Sequence, residues 1–288
     1  MKWLILFFPV LAYAADQNVS IQIRSGMFVP ADGGDPIPIV GFVPIEETTG
    51  QVSRIQIMLT LGDRLVLSVT NNHTEIHHFT WATEQSSVSI APGASETIFF
   101  EPKTTGAYVF MDGGEQPFQV ARGLSGAVMV KDPGDSAPDF IWFFNEHDAE
   151  WLSTINGGTF PDPASYRPDY FTINGNSYPE TMSDPQAAVV GEVNQAINIW
   201  MVNGGIQAHS IHFHGYHVEV LSKNGNPFPQ PYLKDTLPVK PGEGFHTRLV
   251  PYQPGLYPVH DHSLTAVTAR GFYPNGMLVV LNISEATE

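Results

Sequence analysis

The most informative absence from this chain of 288 residues is cysteine, because none is present. The protein therefore has no disulfide bond and no thiolate to offer a metal ion. Its N-terminus is nevertheless typical of an exported protein: a basic residue and a short apolar run precede Ala12-Tyr13-Ala14. Exported chains without disulfides are more usual in a bacterial periplasm than in a eukaryotic secretory route. We expect a signal peptide at residues 1–14, a mature chain beginning at Ala15, and a periplasmic or secreted location.

Basic residues and long apolar segments are scarce as well. The chain has 13 Lys and Arg against 29 Asp and Glu, a formal net charge of -16. Phosphate backbones would repel such a protein, so nucleic acid is not expected as a partner. No segment is apolar and long enough to predict a membrane span.

Turn-forming residues are abundant, with 26 Gly and 24 Pro dividing the chain into short apolar or alternating runs. No long stretch shows a convincing 3.6-residue apolar period, and this pattern predicts an all-β fold of sandwiches or barrels. The predicted strands are 55–61, 64–70, 96–100, 107–110, 126–130, 195–202, 217–221, 245–250 and 277–281.

An internal repeat predicts two copies of one β-domain. Residues 92–113 and 241–262 both open on Pro-Gly, and each contains a Gly (Gly106 or Gly255) followed two residues later by Tyr. The other segments that we align between the copies are 75–79 with 210–214 and 121–123 with 269–271. We place the domains at residues 15–132 and 133–288, with a turn-rich linker near residues 131–135.

Two His-x-His pairs stand out in the second copy: His212 with His214, and His260 with His262. Residues i and i+2 of a β-strand point to the same face, so each pair would present two imidazoles together. Four imidazoles around one point predict a metal site. Imidazole suits copper and zinc, and Cu²⁺ stands highest in the divalent affinity order, so copper is favoured over zinc.

The motifs around these histidines resemble the multicopper oxidase family. They are FTINGNSYP (171–179), HSIHFHG (209–215), DTLPVKPGE (235–243) and PGLYPVHDH (254–262). The resemblance covers nearly the whole mature chain. With two domains, the chain is similar in architecture to two-domain laccases and copper nitrite reductases. It implies two tandem cupredoxin-like Greek-key β-sandwich or barrel domains, the first with degenerate copper motifs.

The resemblance also implies a reduced set of copper ligands. His212 matches a ligand of the family's type 2 copper, while His214, His260 and His262 match ligands of the type 3 pair. His77 matches the remaining type 2 ligand, from the first domain. Three other ligand positions are aligned with residues that would not replace histidine: Phe79, Met111 and Gly113. This set would hold one or two copper ions, and Met111 is interpreted as core packing rather than as a soft ligand.

The family's type 1 blue copper is excluded, because that site needs a cysteine. Asp261 stands where the cysteine would be, and Ala266 replaces a type 1 histidine. His209 matches the other type 1 histidine but lacks its partners. Asp261 is interpreted either as an outer-sphere residue that orients an imidazole or as an ordinary loop carboxylate.

Three functions remain open, and an enzyme is favoured among them. The first is an exported copper oxidoreductase that acts directly on O₂, a peroxide, nitrite or a small reductant at its histidine-bound copper. The second is a non-catalytic protein of periplasmic copper handling, and the third is a metal-free structural protein on a degenerate oxidase scaffold. In related two-domain enzymes the cluster lies between subunits, so the resemblance also implies a homotrimer in which His77 joins the site of a neighbouring chain.

Overall fold

The structure is a computed structural model that describes residues 15–50, 52, 54–115 and 117–286. The predicted signal peptide lies outside the described residues. Among the residues that the structure covers, no helix is both long and apolar enough to cross a membrane.

Nine strands of the first half form two sheets, in the orders β2-β1-β4-β7 and β3-β9-β8-β5-β6. Their bounds are β1 Asp16–Phe28, β2 Ile37–Pro44, β3 Ile55–Thr60, β4 Arg64–Asn71, β5 His77–Trp81, β6 Val88–Ile90, β7 Ser95–Phe100, β8 Gly106–Asp112 and β9 Ser125–Lys131. The apolar residues of the two facing surfaces pack into one core, which includes Leu67, Phe79 and Phe110. We call this unit the first sandwich.

Eleven strands of the second half form the second sandwich, in the orders β11-β10-β13-β18-β15-β16 and β12-β20-β19-β14-β17. Their bounds are β10 Asp139–His147, β11 Tyr170–Ile173, β12 Val190–Glu192, β13 Ile197–Asn203, β14 His209–Phe213, β15 Val218–Lys223, β16 Asn226–Lys234, β17 Thr236–Val239, β18 Gly244–Leu249, β19 Gly255–Asp261 and β20 Leu278–Ser284.

The two sandwiches have the same strand order once the extra edge strands β15 and β16 are set aside. The order β2-β1-β4-β7 corresponds to β11-β10-β13-β18, and β3-β9-β8-β5-β6 corresponds to β12-β20-β19-β14-β17. Even the parallel pairs agree, since β1 lies parallel to β4 and β10 lies parallel to β13. The strand pairing therefore identifies which residues of the corresponding strands occupy equivalent positions in the two sandwiches.

A third apolar cluster joins the sandwiches side by side. It takes Val109 and Met129 from the first sandwich and Phe143, Trp200 and Val202 from the second. Fully burying side chains of this size contributes roughly 1.5–3 kcal/mol each. The interface therefore fixes the two units relative to each other.

In the part of the chain that the structure describes, two short α-helices stand outside the sheets, α1 at Phe118–Arg122 and α2 at Ala149–Asn156. The Asp148 side chain caps α2 by accepting a hydrogen bond from the Trp151 backbone N–H at 2.9 Å. Trp151, Leu152 and Ile155 are buried and hold the helix against the body of the protein. The all-β prediction is confirmed, and every predicted strand overlaps an observed one.

Candidate metal centre

The alternation of β14 and β19 decides where the paired histidines point. Ile211 and Phe213 of β14 and Val259 of β19 are buried in the core of the second sandwich. Because neighbouring side chains of a strand point to opposite faces, His212 and His260 lie on the outer face. These two residues are also direct cross-strand partners in the antiparallel ladder.

The structure brings the four predicted histidines together on this outer face. His214 Nε2 and His260 Nε2 lie 2.9 Å apart. The ring of His212 lies with its centroid 4.9 Å from that of His214, 5.9 Å from that of His260 and 5.6 Å from that of His262. We call these residues the four-histidine face; His214 and His262 are exposed and the other two are half-buried.

Neighbouring groups fix the imidazoles with a ring nitrogen free for a ligand. His260 Nδ1 donates to the backbone carbonyl of Asp261 at 2.7 Å, so the tautomer that can bind a metal ion has its lone pair on Nε2. His212 Nδ1 lies 2.8 Å from Thr236 Oγ1. Partial burial, together with the charges of His260 and His212, lowers the pKa of His214 and favours its neutral, metal-binding form.

This donor set fits a copper ion. Two imidazole nitrogens that bind one Cu²⁺ ion at about 2.0–2.1 Å with the right angle of square-planar coordination lie about 2.9 Å apart, which is the separation of the His214 and His260 nitrogens. The hydrogen bonds to the opposite ring nitrogens of His212 and His260 are the kind that orient metal-binding imidazoles. The residues present therefore match the copper that the family resemblance implies.

His209 does not join this face, because its side chain points into the protein. Its Nδ1 lies 2.6 Å from Asp261 Oδ2 and its Nε2 lies 3.0 Å from Glu146 Oε2, with all three side chains at most 2% exposed. Burial alone would lower the pKa of His209, but the hydrogen bonds of Asp261 and Glu146 outweigh it and raise that pKa to about 9. His209 is therefore a buried imidazolium with both nitrogens occupied, not a ligand.

Asp261 is thus not an exposed loop carboxylate. It is 2% exposed, accepts from the Ser263 backbone N–H at 2.8 Å and binds the His209 ring. Because it lies between His260 and His262 in the chain, these contacts anchor the segment that carries both outward-facing imidazoles. The imidazole that its side chain orients is that of His209, and its link to the four-histidine face is the backbone of residues 260–262.

The strand pairing corrects the sequence alignment of His77 with His212. His77 pairs with Ile90 as His209 pairs with Val239. Each ring also binds, at 2.6 Å, an aspartate from the neighbouring strand on the other side, Asp112 of β8 or Asp261 of β19. His77 is therefore the equivalent of His209, and the alignment was wrong by three residues. The misleading signal was the Ile-His dipeptide that both segments contain.

His77 consequently lies apart from the four-histidine face. It is fully buried in the first sandwich, with Nδ1 on Asp112 and Nε2 2.9 Å from Nδ1 of His73. This burial does not support the expectation that His77 reaches the metal site of a neighbouring chain.

The first-sandwich positions equivalent to the four histidines carry no imidazole. They are Thr80, Ala82, Met111 and Gly113. Matching backbone hydrogen bonds give the same equivalence: the Gly113 N–H donates to the His78 carbonyl as the His262 N–H donates to the Ser210 carbonyl. Met111 packs beside Ala82 against the apolar cluster between the sandwiches, in agreement with its predicted packing role.

Comparisons with known proteins agree with this architecture. A sequence model described as multicopper oxidase matches residues 157–284. The chain is similar in structure to a blue copper oxidase from Nitrosomonas europaea, with a TM-score of 0.78, 22% identity, and coverage of 93% of this chain and 86% of that one. The resemblance to multicopper oxidases is confirmed.

Other solved structures share the two-domain cupredoxin-like fold. The multicopper oxidase mgLAC has a TM-score of 0.77 at 23% identity, covering 94% of this chain and 87% of its own. A copper nitrite reductase from Nitrosomonas europaea has a TM-score of 0.71 at 18% identity, covering 93% and 94%. No curated protein sequence matches the chain significantly. Because this chain has no cysteine, it lacks the thiolate ligand that a type 1 copper site needs.

Sequence reasoning missed Glu146, the second carboxylate on His209. It lies on β10, 63 residues before His209, and no motif marks it. Its other oxygen accepts from the Ile206 and Gln207 backbone N–H groups at 2.7 and 2.9 Å. A side chain at Gly205 would begin 2.0 Å from this carboxylate, so the glycine makes room for it.

Proposed function

We propose that this chain is an exported copper oxidoreductase that acts directly at the four-histidine face, without a type 1 copper. The observation that carries the proposal is the set of four imidazoles on one accessible face. His214 Nε2 and His260 Nε2 lie 2.9 Å apart, and His212 and His260 are oriented through their Nδ1 atoms. The multicopper oxidase match of the second half supports copper as the ion.

His212, His214, His260 and His262 would hold one or two copper ions. Bound copper supplies one-electron chemistry between Cu⁺ and Cu²⁺. The carbonyl of Asp261 keeps the proton of His260 on Nδ1, and Thr236 holds His212 at the same nitrogen. The exposure of His214 and His262 leaves room for O₂, a peroxide, nitrite or a small reductant to approach.

The interior of the second sandwich supports direct reaction rather than electron relay. Where the family resemblance implies a cysteine that collects electrons, this chain has the buried carboxylate of Asp261. His209 beside it is occupied at both nitrogens by carboxylates. Without that cysteine the chain lacks the thiolate that would pass electrons from this position to the four-histidine face, so in this proposal a substrate has to reach the copper itself.

A homotrimer is part of the proposal, and the equivalence of the two sandwiches supports it. The equivalent face of the first sandwich is covered within the chain: a Cβ at buried Gly242 would lie 3.0 Å from Met111 and 3.2 Å from Ala82. Gly93 of the first sandwich is the exposed equivalent of Gly242. The same packing between copies would bring the turn of Gly93 over His214 and His260 of a neighbour.

The experiment is to load the purified mature chain with Cu²⁺, remove free metal, and measure O₂ uptake and nitrite reduction with small electron donors. Turnover by the loaded chain that is lost in His214→Ala supports the enzyme. Stable copper binding without turnover of any of these substrates would instead establish the copper-handling function. A folded chain that stays free of metal under copper excess would contradict both.

A further inference from the structure

A second cluster of metal-ligating side chains lies in the first sandwich, away from the four-histidine face. Three residues at the junction of β4 and β5 contribute it: His73, Glu75 and His77. One ligand atom from each of them lies within 4.8 Å of the other two. We infer that these three residues form a separate site for one divalent transition-metal ion, Zn²⁺ or Cu²⁺.

The two imidazole nitrogens already stand at coordinating distance. His73 Nδ1 and His77 Nε2 are 2.9 Å apart, the separation expected when both bind one Cu²⁺ ion at about 2.0–2.1 Å with the right angle of square-planar coordination. Tetrahedral Zn²⁺ needs about 3.3 Å, a widening of about 0.4 Å. Without metal, one proton shared between the two nitrogens holds the pair. Two imidazoles and one carboxylate form a donor set that zinc and copper accept.

On the buried side of this site, His77 contacts a carboxylate through its other ring nitrogen, as metal-binding histidines usually do. His77 Nδ1 lies 2.6 Å from Asp112 Oδ2, and both side chains are at most 1% exposed. A carboxylate on the remote nitrogen fixes the tautomer and directs the lone pair of Nε2 outward. Asp112 therefore orients His77 toward His73 rather than binding the ion.

The segment between the two histidines is also held in place. Asn71 is fully buried; its Oδ1 accepts from the His73 backbone N–H at 2.9 Å, and its side-chain nitrogen donates to the Glu75 carbonyl at 2.8 Å. The donors consequently belong to a short, fixed segment rather than to a loose loop.

The equivalent position in the second sandwich shows what the metal site requires. His209 has the same aspartate partner on Nδ1, but its Nε2 lies on the carboxylate of Glu146. In the first sandwich an imidazole faces that nitrogen instead. A carboxylate stabilises an imidazolium there, whereas a second imidazole offers a nitrogen that can bind the same cation once the shared proton is displaced.

The outer side of the site opens to solvent. His73, Glu75 and Arg122 line a surface cleft of about 430 Å³, from which an ion and a small fourth ligand can enter. Arg122 binds the Glu75 carboxylate through two nitrogens, at 2.7 and 3.3 Å. This pair holds Glu75 beside the histidines and places a positive charge where water or a small anion would complete the coordination.

The test uses a full-length mature chain in which His212→Ala and His260→Ala have removed the four-histidine site. It is titrated with Zn²⁺ and with Cu²⁺ by calorimetry, and bound metal is measured after desalting. We expect this background to retain one ion per chain and to gain thermal stability on metal addition. Adding His73→Ala or Glu75→Gln should weaken binding at least about tenfold.

His78→Ala is the matched control, because His78 is the next histidine and points to the opposite face of β5. It should leave the retained ion in place. Half-buried His73 and exposed Glu75 are changed rather than buried His77, because substitutions outside the core are less disruptive to folding. Circular dichroism confirms that each variant is folded. A folded background variant that retains no metal, or one that retains it equally after His73→Ala and Glu75→Gln, would overturn the inference.

Discussion

Two equivalent faces of the molecule have opposite characters. In the first sandwich the positions Thr80, Ala82, Met111 and Gly113 form a small, mostly apolar surface, part of which packs against the second sandwich. In the second sandwich the same positions are four histidines that remain accessible. One strand order therefore supports either a packing interface or a metal site, depending on four outward-facing side chains.

The buried positions beneath these faces differ in a second way. His77 and His209 both bind an aspartate of the neighbouring strand at 2.6 Å. Only His209 also binds a second carboxylate, Glu146, at 3.0 Å. Both sandwiches therefore have the same histidine–aspartate pair. They differ in the group at the histidine Nε2, which is the Glu146 carboxylate for His209 and the His73 imidazole for His77.

The largest expected effect comes from breaking the buried triad. His209→Gln should lower the free energy of unfolding by about 3–5 kcal/mol, because it leaves two buried carboxylates without their cation. The equivalent His77→Gln should cost less, about 1–3 kcal/mol, since only the Asp112 carboxylate loses an imidazole contact and it keeps the backbone N–H groups of His78 and Gly114. Urea unfolding measures both, with exposed His217→Gln as the control. Equal losses at the two sites would contradict the distinction between them.

The pH dependence of stability should follow from the same triad. The folded pKa of His209, about 9, lies above its ordinary value of 6.5. Its contribution is therefore complete below about pH 6.5 and is lost as pH rises through 9, a decrease approaching about 3 kcal/mol. Unfolding measured from pH 6 to 10 should show this decrease in the wild-type chain. The same slope in His209→Gln would assign the pH dependence to other groups.

The packed face can be compared with the accessible one through two equivalent glycines. Gly93 and Gly242 have φ of +75° and +71°, so alanine at either should cost about 1 kcal/mol of backbone strain. Only at Gly242 does the new Cβ also crowd Met111 and Ala82, which should raise the total cost to about 2–3 kcal/mol. Thermal unfolding of both variants measures the difference.

The proposed trimer makes the same pair of variants more informative. If copies pack as the sandwiches do, Gly93→Ala should also weaken self-association, which sedimentation over a range of concentrations would detect. A chain that is monomeric at every concentration, yet binds copper tightly at neutral pH, would contradict the intersubunit site.

The smallest expected effect concerns the orientation of one ligand. Thr236→Val removes the hydroxyl that lies 2.8 Å from His212 Nδ1 and should reduce copper affinity about tenfold. Thr236→Ser keeps the hydroxyl and should bind nearly as the wild type does. Copper titration in competition with a chelator of known affinity measures both. No loss in the valine variant would show that the strand alone orients His212.

The all-β fold and the grouping of the four histidines were both predictable from local patterns. Alternation along β14 and β19 is a property of neighbouring residues, and it placed His212 and His214 on one face correctly. The register of His77 was not predictable in the same way, because a short dipeptide match competes with strand pairing that only the folded chain shows. The contact of Glu146 with His209 joins β10 to β14, and nothing local to either strand indicates it.

Copper spectroscopy can show whether the four-histidine face holds copper. The chain is loaded with Cu²⁺, desalted, and measured by electron paramagnetic resonance and visible absorption beside a variant in which the four histidines are alanine. We expect a type 2 signal from imidazole-bound copper, no intense blue band, and loss of the copper held at the four-histidine face in the variant. A copper spectrum and stoichiometry identical in the two proteins, or a blue band in the wild type, would contradict it.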